Sequence, residues 1–334
     1  MSSIAVLGAG SWGTALAAHL ARVGHDVRVW AREPEVAAEI RAEQLNSVFL
    51  PGIRLPKSVT ASDRIEDTVS GVNLVVVVTP SHGTRSVLRQ AAPAILPTAT
   101  IVSATKGLEV DTLLRASEVI AQELGPRRAV VVLSGPSFAR EVALELPTAV
   151  CAASADQAAA RRVQSEFRGR AFRLYTTDDV VGVEIGAALK NVIAIAAGVV
   201  EGLGLGHNAM AGLITRGLAE ISRLAHALGG RRETLAGLSG LGDLVLTCTG
   251  SLSRNRQFGI ELGRGRSPHE ILQAMTMVAE GVKTTGAALA LGARHHVELP
   301  IAAQMAEVIE GRKDPRQATD ALMLRPQRVE VDGR

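Results

Sequence analysis

The chain has 334 residues, 47% of them hydrophobic, with 36 basic and 33 acidic side chains for a net charge of +3. A mean hydropathy of +0.20 supplies apolar surface for more than one core, and the length exceeds one typical domain, so two domains are expected. Five Phe, two Trp and one Tyr, with no block of five or six basic residues, argue against nucleic acid as a partner, while the small positive excess suits a small anionic ligand.

The first element is an apolar strand over residues 4–7. It meets Gly8-Ala9-Gly10-Ser11-Trp12-Gly13 and leads into a small-residue helix over residues 14–22. In a strand–turn–helix unit Gly8 permits the tight turn, Gly10 leaves room for a pyrophosphate, and Gly13 lets the helix lie against the strand. The helix N-terminus then holds phosphates, and a dinucleotide is the expected guest. An ordinary βα turn is the competing reading.

Residues 26–30 form the second strand, after which an acidic side chain would take the ribose hydroxyls of NAD. Arg32 comes first here. A guanidinium pairs with a 2′-phosphate, which favours NADP(H) while leaving NAD(H) open. Glu33 follows directly, and a solvated Arg32–Glu33 pair on a loop is the alternative.

Strand-like runs at 74–79, 100–104, 129–133 and 148–152 alternate with helices, the βαβ rhythm of a doubly wound parallel sheet. The alanine-rich segment 152–160 reads as a helix, and 173–177 as a last short strand. The expected boundary lies close to Asp178, giving an α/β Rossmann-type domain of residues 1–178 and an all-helical domain of residues 179–334. Helices are predicted there over 180–200, 209–228, 231–235, 254–262, 268–275, 284–291, 300–309 and 315–322, joined by glycine loops at 202–206 and 237–242. The polar tail after Arg325 reads as frayed.

The N-terminus lacks the basic and long apolar regions of a signal peptide, and the longest lipid-like run, 192–200, falls far short of the ~20 residues a membrane span needs. A cytoplasmic location is expected. Cys151 and Cys248 lie far apart, outside any CxxC pair, and read as reduced structural thiols. The eight histidines show no ligand spacing, so no metal is expected.

Lys190 interrupts an otherwise apolar helix, Gly186-Ala-Ala-Leu-Lys190-Asn191. Burial there would lower its pKa toward the range useful for proton transfer; the alternative is a lysine snorkelling from a helix edge. Lys106 follows the strand at 100–104, and Ser134-Gly135-Pro136-Ser137 ends the next one. Ligands gather at the carboxyl ends of such strands, so both stretches converge on one place. Asp243 closes the loop Gly237-Leu-Ser-Gly240-Leu-Gly242, read as a flexible approach to a lysine and a substrate hydroxyl, or else as a helix cap. Ser253-Arg254-Asn255 opens a helix and offers a phosphate site, or simply a capped helix with an exposed arginine.

Taken together, Gly8-Ala-Gly-Ser-Trp-Gly-Thr-Ala, Asn46-Ser-Val-Phe-Leu-Pro-Gly52, Thr105-Lys-Gly-Leu-Glu109, Gly135-Pro-Ser-Phe-Ala139, Ala188-Leu-Lys-Asn-Val192 and Gly240-Leu-Gly-Asp243 resemble bacterial NAD(P)-dependent sn-glycerol-3-phosphate dehydrogenases nearly end to end. That resemblance implies a helical domain like the C-terminal part of 6-phosphogluconate dehydrogenase and reversible hydride transfer to dihydroxyacetone phosphate, giving glycerol 3-phosphate for phospholipids. It makes Lys190 the acid/base, with Lys106 and Asp243 polarising the reacting end. It places Gly135, Ser137, Ser253, Arg254 and Asn255 on the phosphorylated substrate. On the coenzyme it places Ser11, Trp12, Arg32, Lys106, Ala139, Arg254, Val278 and Glu280, with Phe49 nearby. A homodimer is expected from the long apolar helices. Two rival readings are a β-hydroxyacid or ketopantoate dehydrogenase, which would have no use for a phosphate site, and a coenzyme sensor, which would have none for Lys190, Lys106 and Asp243.

Overall fold

The computed structural model describes residues 2–275, 279–327 and 329–330. Eight strands, β1 (Ser3–Leu7), β2 (Asp26–Trp30), β3 (Val59–Ser62), β4 (Leu74–Val77), β5 (Thr100–Ser103), β6 (Val130–Ser134), β7 (Thr148–Ala153) and β8 (Phe172–Thr177), form one sheet in the order β3-β2-β1-β4-β5-β6-β7-β8. Helices cover both faces, so central strands are buried on both sides: all four residues of β4, Leu-Val-Val-Val, and of β5, Thr-Ile-Val-Ser, are buried. The strand order reverses between β1 and β4, where open α/β sheets form their ligand crevice.

One junction departs from the all-parallel expectation. β7 runs antiparallel to β6, because the chain turns back through the short helix Ala139–Ala143 without crossing the sheet. β7 and β8 are again parallel to each other. The helix expected over 152–160 starts later: Ala152 and Ala153 complete β7 against β6, and the helix Gln157–Glu166 begins after Asp156, whose carboxylate accepts from the Ala158 and Ala159 amides. β3 was not anticipated. Val59-Thr60-Ala61-Ser62 is a short edge strand with little hydrophobicity to announce it.

After Thr177 the chain is helical. The Val180–Gly202 helix, capped by the Asp179 carboxylate on Gly182 N at 2.8 Å, runs through the second core. It is long and apolar enough to cross a membrane, yet 89% of its apolar window is covered by the rest of the protein, as befits a core helix. Its backbone touches that of the Arg254–Gly263 helix, since a Cβ on Gly198 would lie 2.0 Å from Arg256 O and one on Gly259 2.0 Å from Ile195 O. Small residues therefore serve contact here. One residue of the sheet half, Leu108, also belongs to this second core.

Candidate active site

The glycine turn joins β1 to the helix Ser11–Arg22. Gly8 has φ +118° and a Cβ there would fall 2.6 Å from Val78 O, while a Cβ on Gly13 would fall 1.9 Å from Gly8 O. Both positions demand glycine. A Cβ on Gly10 would meet nothing within 4 Å, and no side chain caps the helix N-terminus, so the turn opens onto free space lined by backbone. Asn46 braces it: its Nδ2 donates to Ala9 O and Thr14 Oγ1, both at 2.8 Å, and its Oδ1 accepts from Phe49 N at 3.1 Å. Ser11 Oγ donates to Phe49 O at 2.6 Å. The Trp12 indole N–H is buried without a partner, an orphaned donor of the kind a bound ligand satisfies. Trp12, Phe49 and Ala139 pack against the same core. This cradle fits a dinucleotide diphosphate.

Arg32 stands apart. Its side chain is 82% exposed, and both its Nε and NH2 donate to Glu33 Oε1, at 3.0 and 2.6 Å. The solvated pair weighed from the sequence is thus present, just beyond the carboxyl end of β2. Val278 lies outside the described residues.

A cluster of two lysines and a carboxylate is drawn from four parts of the chain: the Val180–Gly202 helix, the Asp243–Thr249 helix and the segments that follow β5 and β6. Lys190, 6% exposed, projects from the middle of the Val180–Gly202 helix; its Nζ lies 2.5 Å from Asp243 Oδ1 and donates to Thr247 Oγ1 at 3.1 Å. The other carboxylate oxygen, Asp243 Oδ2, accepts from Lys106 Nζ at 3.0 Å. Lys106 Nζ also donates to Gly135 O at 3.2 Å, tying the end of β6 into the cluster. Gly135 has φ +143° and a Cβ there would lie 2.9 Å from Val150 Cα, so only glycine lets this carbonyl turn in; Ser137 Oγ donates to it at 2.9 Å. Two ammonium groups thus share one carboxylate.

Asp243 is not delivered by a flexible loop. Residues Leu238–Gly242 form a wide, π-type helical turn, Gly242 N donating to Gly237 O at 3.0 Å, in which Ser239 and Gly240 are buried. Ser239 Oγ donates to Ser134 O at 3.2 Å, and a Cβ on Gly240 would sit 2.0 Å from Leu235 O. The glycines serve close packing, which fixes Asp243 at the first position of the Asp243–Thr249 helix. Thr247, one turn on, donates to Asp243 O at 2.5 Å while accepting from Lys190.

Burial pushes the Lys190 ammonium down to about 7, opposed by the Asp243 carboxylate and assisted by the Lys106 charge. Burial pushes the half-buried Glu280 up to about 7, against Arg254, Lys106 and Lys190, which favour its charged form. Glu280 thus lies within electrostatic reach of Arg254, Lys106 and Lys190. Burial also holds the neighbouring Cys248 thiol up at about 12, so it is no nucleophile.

Ser253 Oγ accepts from Arg256 N at 3.2 Å as a true N-cap, Arg254 is exposed in that first turn, and Asn255 Oδ1 accepts from Gly281 N at 2.9 Å. Among the described residues no group of three His, Cys, Asp or Glu side chains is arranged to hold a metal ion. Asn46 and Thr247 were missed as site residues. The first sits in the string Asn46-Ser-Val-Phe-Leu-Pro-Gly52, and the second lies four residues after Asp243 on one helix face, a spacing that would have pointed to it.

With this geometry in view, two family models match, the N-terminus of NAD-dependent glycerol-3-phosphate dehydrogenase over residues 3–160 and its C-terminus over residues 179–320. The chain belongs to the NAD-dependent glycerol-3-phosphate dehydrogenase family. It is accordingly an oxidoreductase acting on a CH–OH group. Proteins named glycerol-3-phosphate dehydrogenase [NAD(P)+] from Koribacter versatilis and Geobacter sulfurreducens are 54% and 53% identical, covering 99% and 98% of this chain and the same shares of their own. The solved structure of glycerol-3-phosphate dehydrogenase from Coxiella burnetii superposes with a TM-score of 0.94 at 43% identity, over 97% of this chain and 99% of that one. Membership in the family decides against the β-hydroxyacid and ketopantoate types.

Proposed function

We propose that this family member reduces dihydroxyacetone phosphate to sn-glycerol 3-phosphate at the Lys190–Asp243–Lys106 cluster, in a reversible hydride transfer. The observation that carries the reading is a buried lysine near pKa 7, held by a carboxylate that a second lysine also grips, at the carboxyl ends of the strands. The nicotinamide coenzyme, when bound, supplies the hydride that reaches the carbonyl carbon. Lys190 in its ammonium form donates the proton to the carbonyl oxygen, Asp243 orients both ammonium groups, and Lys106 polarises the same oxygen. Ser253, Arg254 and Asn255 hold the phosphate, with Gly135 and Ser137 against the substrate. Gly8, Gly10, Ser11, Trp12, Gly13, Phe49, Ala139 and Glu280 face the coenzyme, so residues 1–178 bind it and residues 179–334 carry the proton donor. We infer a cytoplasmic homodimer feeding glycerophospholipid synthesis.

The pH dependence follows in sign. Reduction needs protonated Lys190 and declines as pH rises through about 7, whereas oxidation needs the neutral amine and declines as pH falls through about 7.

For the coenzyme we propose a preference for NADP(H), with Arg32 leaving Glu33 to take the 2′-phosphate. The test follows oxidation of NADPH and NADH with dihydroxyacetone phosphate, using dihydroxyacetone as control. Phosphate-dependent turnover is expected, and equal rates on dihydroxyacetone would refute the substrate reading. Arg32→Ala should weaken NADPH binding about 10-fold or more and leave NADH unchanged, as loss of a charge-assisted contact requires. An unaltered NADPH affinity would remove the role from Arg32.

A further inference from the structure

Glu184 lies six residues before Lys190 in the Val180–Gly202 helix and is 4% exposed, yet the chemistry above does not use it. Its partners all come from the sheet half of the chain. Oε1 accepts from Ser117 N at 2.8 Å, and Oε2 accepts from Ser117 Oγ at 2.6 Å and from Arg115 NH1 at 2.9 Å. Arg115 precedes the helix Ala116–Leu124 and forms an antiparallel bridge to Leu108. Glu109 N donates to Leu114 O at 2.9 Å, closing the same small loop. Leu108, 1% exposed, is buried among the side chains of the helical half, and Lys106 stands two residues before it. Gly107 between them has φ +134°, and a Cβ there would lie 2.9 Å from Ser81 Oγ, so only glycine fits where the chain passes Ser81.

We propose that Glu184 is a positioning residue for the reaction: by gripping Arg115 and Ser117 it locks the loop of residues 106–117 to the helix bearing Lys190, and so sets Lys106 against Asp243. The inference rests on the roles assigned above to Lys106, Asp243 and Lys190. A carboxylate buried at this junction is costly to desolvate, and burial pushes its carboxyl up against the pull of Arg115 and Ser117. An apolar side chain would fill the space with less penalty but would fix no direction. Three donors converging on two oxygens fix both the angle and the register of the loop.

The role is tested on the full-length enzyme with Glu184→Gln, which keeps the size and one acceptor oxygen but removes the charge facing Arg115. We expect kcat/KM for dihydroxyacetone phosphate to fall about 10-fold or more, with NADPH affinity within 2-fold of wild type. The alkaline limb of reduction should also move up, because a displaced Lys106 no longer lowers Lys190. The charged and titratable groups acting at Lys190 are Asp243, Lys106, Glu280 and Cys248, and Glu184→Gln displaces Lys106 alone.

The decisive measurement is a double-mutant cycle with Lys106→Met. If Glu184 acts through Lys106, its loss costs little further once Lys106 is gone. Multiplying effects, or wild-type kinetics in Glu184→Gln, would overturn the proposal. Should Glu184→Gln fail to fold, Ser117→Ala removes one donor only; the same cycle then applies, with a few-fold loss expected and the same two outcomes against it. Wild-type turnover, measured first, separates failure of the functional reading from failure of the positioning role.

Discussion

Replacing Lys190 by Ala is expected to lower kcat for dihydroxyacetone phosphate reduction about 10²- to 10⁴-fold, the contribution of a positioned proton donor. NADPH affinity should stay within a few-fold, because the lysine lies in the Val180–Gly202 helix, away from the glycine turn that cradles the diphosphate. The fold should survive, since Asp243 keeps Lys106 as its partner at 3.0 Å. Steady-state kinetics beside a fluorescence titration of NADPH would check both halves, and Lys190→Met, which preserves volume, would separate lost chemistry from lost packing. A residual rate above a tenth of wild type would move the proton donor to another group. The limb near pH 7 should vanish with the side chain.

Asp243→Asn should be nearly as damaging, by a different route. The substitution leaves Lys106 and Lys190 facing each other with no carboxylate between them. Asp243 is the group that favours the charged form of Lys190, so its loss drives the lysine further below about 7. Reduction at neutral pH then finds the donor already deprotonated, and we expect a loss of about 10²-fold or more, partly recovered at lower pH. Oxidation, which needs the neutral amine, should suffer less. A pH profile of both directions checks this, and equal losses at all pH values would contradict it.

Stability responds too. Removing one partner of a buried ion pair costs about 3–5 kcal/mol, here reduced because Lys190 can shed its proton. The folded pKa of about 7 lies below the ordinary 10.5, so the native state binds fewer protons in that window and stability from this group rises with pH across it. In Asp243→Asn the window opens at lower pH, and thermal melts taken at several pH values should show it.

The glycine turn was legible because its requirements are local. Gly13 must lack a Cβ to clear the carbonyl of Gly8 five residues back, and the φ of +118° at Gly8 is itself a turn requirement, to which the carbonyl of Val78 adds a second, long-range one. β4 announced itself because burial on both faces suits an unbroken apolar run, and β5 through the β-branched pair Ile101-Val102 at its centre. β3 did not, since an edge strand of four residues with Thr60 half in contact with solvent needs no such run. The loop at 237–242 misled for a related reason. Glycine marks both flexible chain and close packing, and only the backbone of Leu235 and the carbonyl of Ser134, pressed against Gly240 and Ser239, shows that here it marks packing.

For the site, residue types were readable and partnerships were not. Lys190 stood out as one charge in an apolar helix, but whether it snorkelled or was buried depended on Asp243 and Thr247, 53 and 57 residues away. Arg32 carried two readings that differ only in whether Glu33 or a ligand holds the guanidinium. Glu184 was invisible, since Arg115 and Ser117 reach it across 69 and 67 residues. What the sequence determined alone was the dinucleotide turn, the alternation that builds the sheet and the shift to helices after Thr177, all encoded in residues a few positions apart. Tertiary structure decided the reversal of β7, the rigid seat of Asp243 and the pairing of Lys106 with that carboxylate across 137 residues. It also decided the pKa of Lys190, because proton affinity is set by burial and by charges brought within a few ångströms, which only the folded chain assembles.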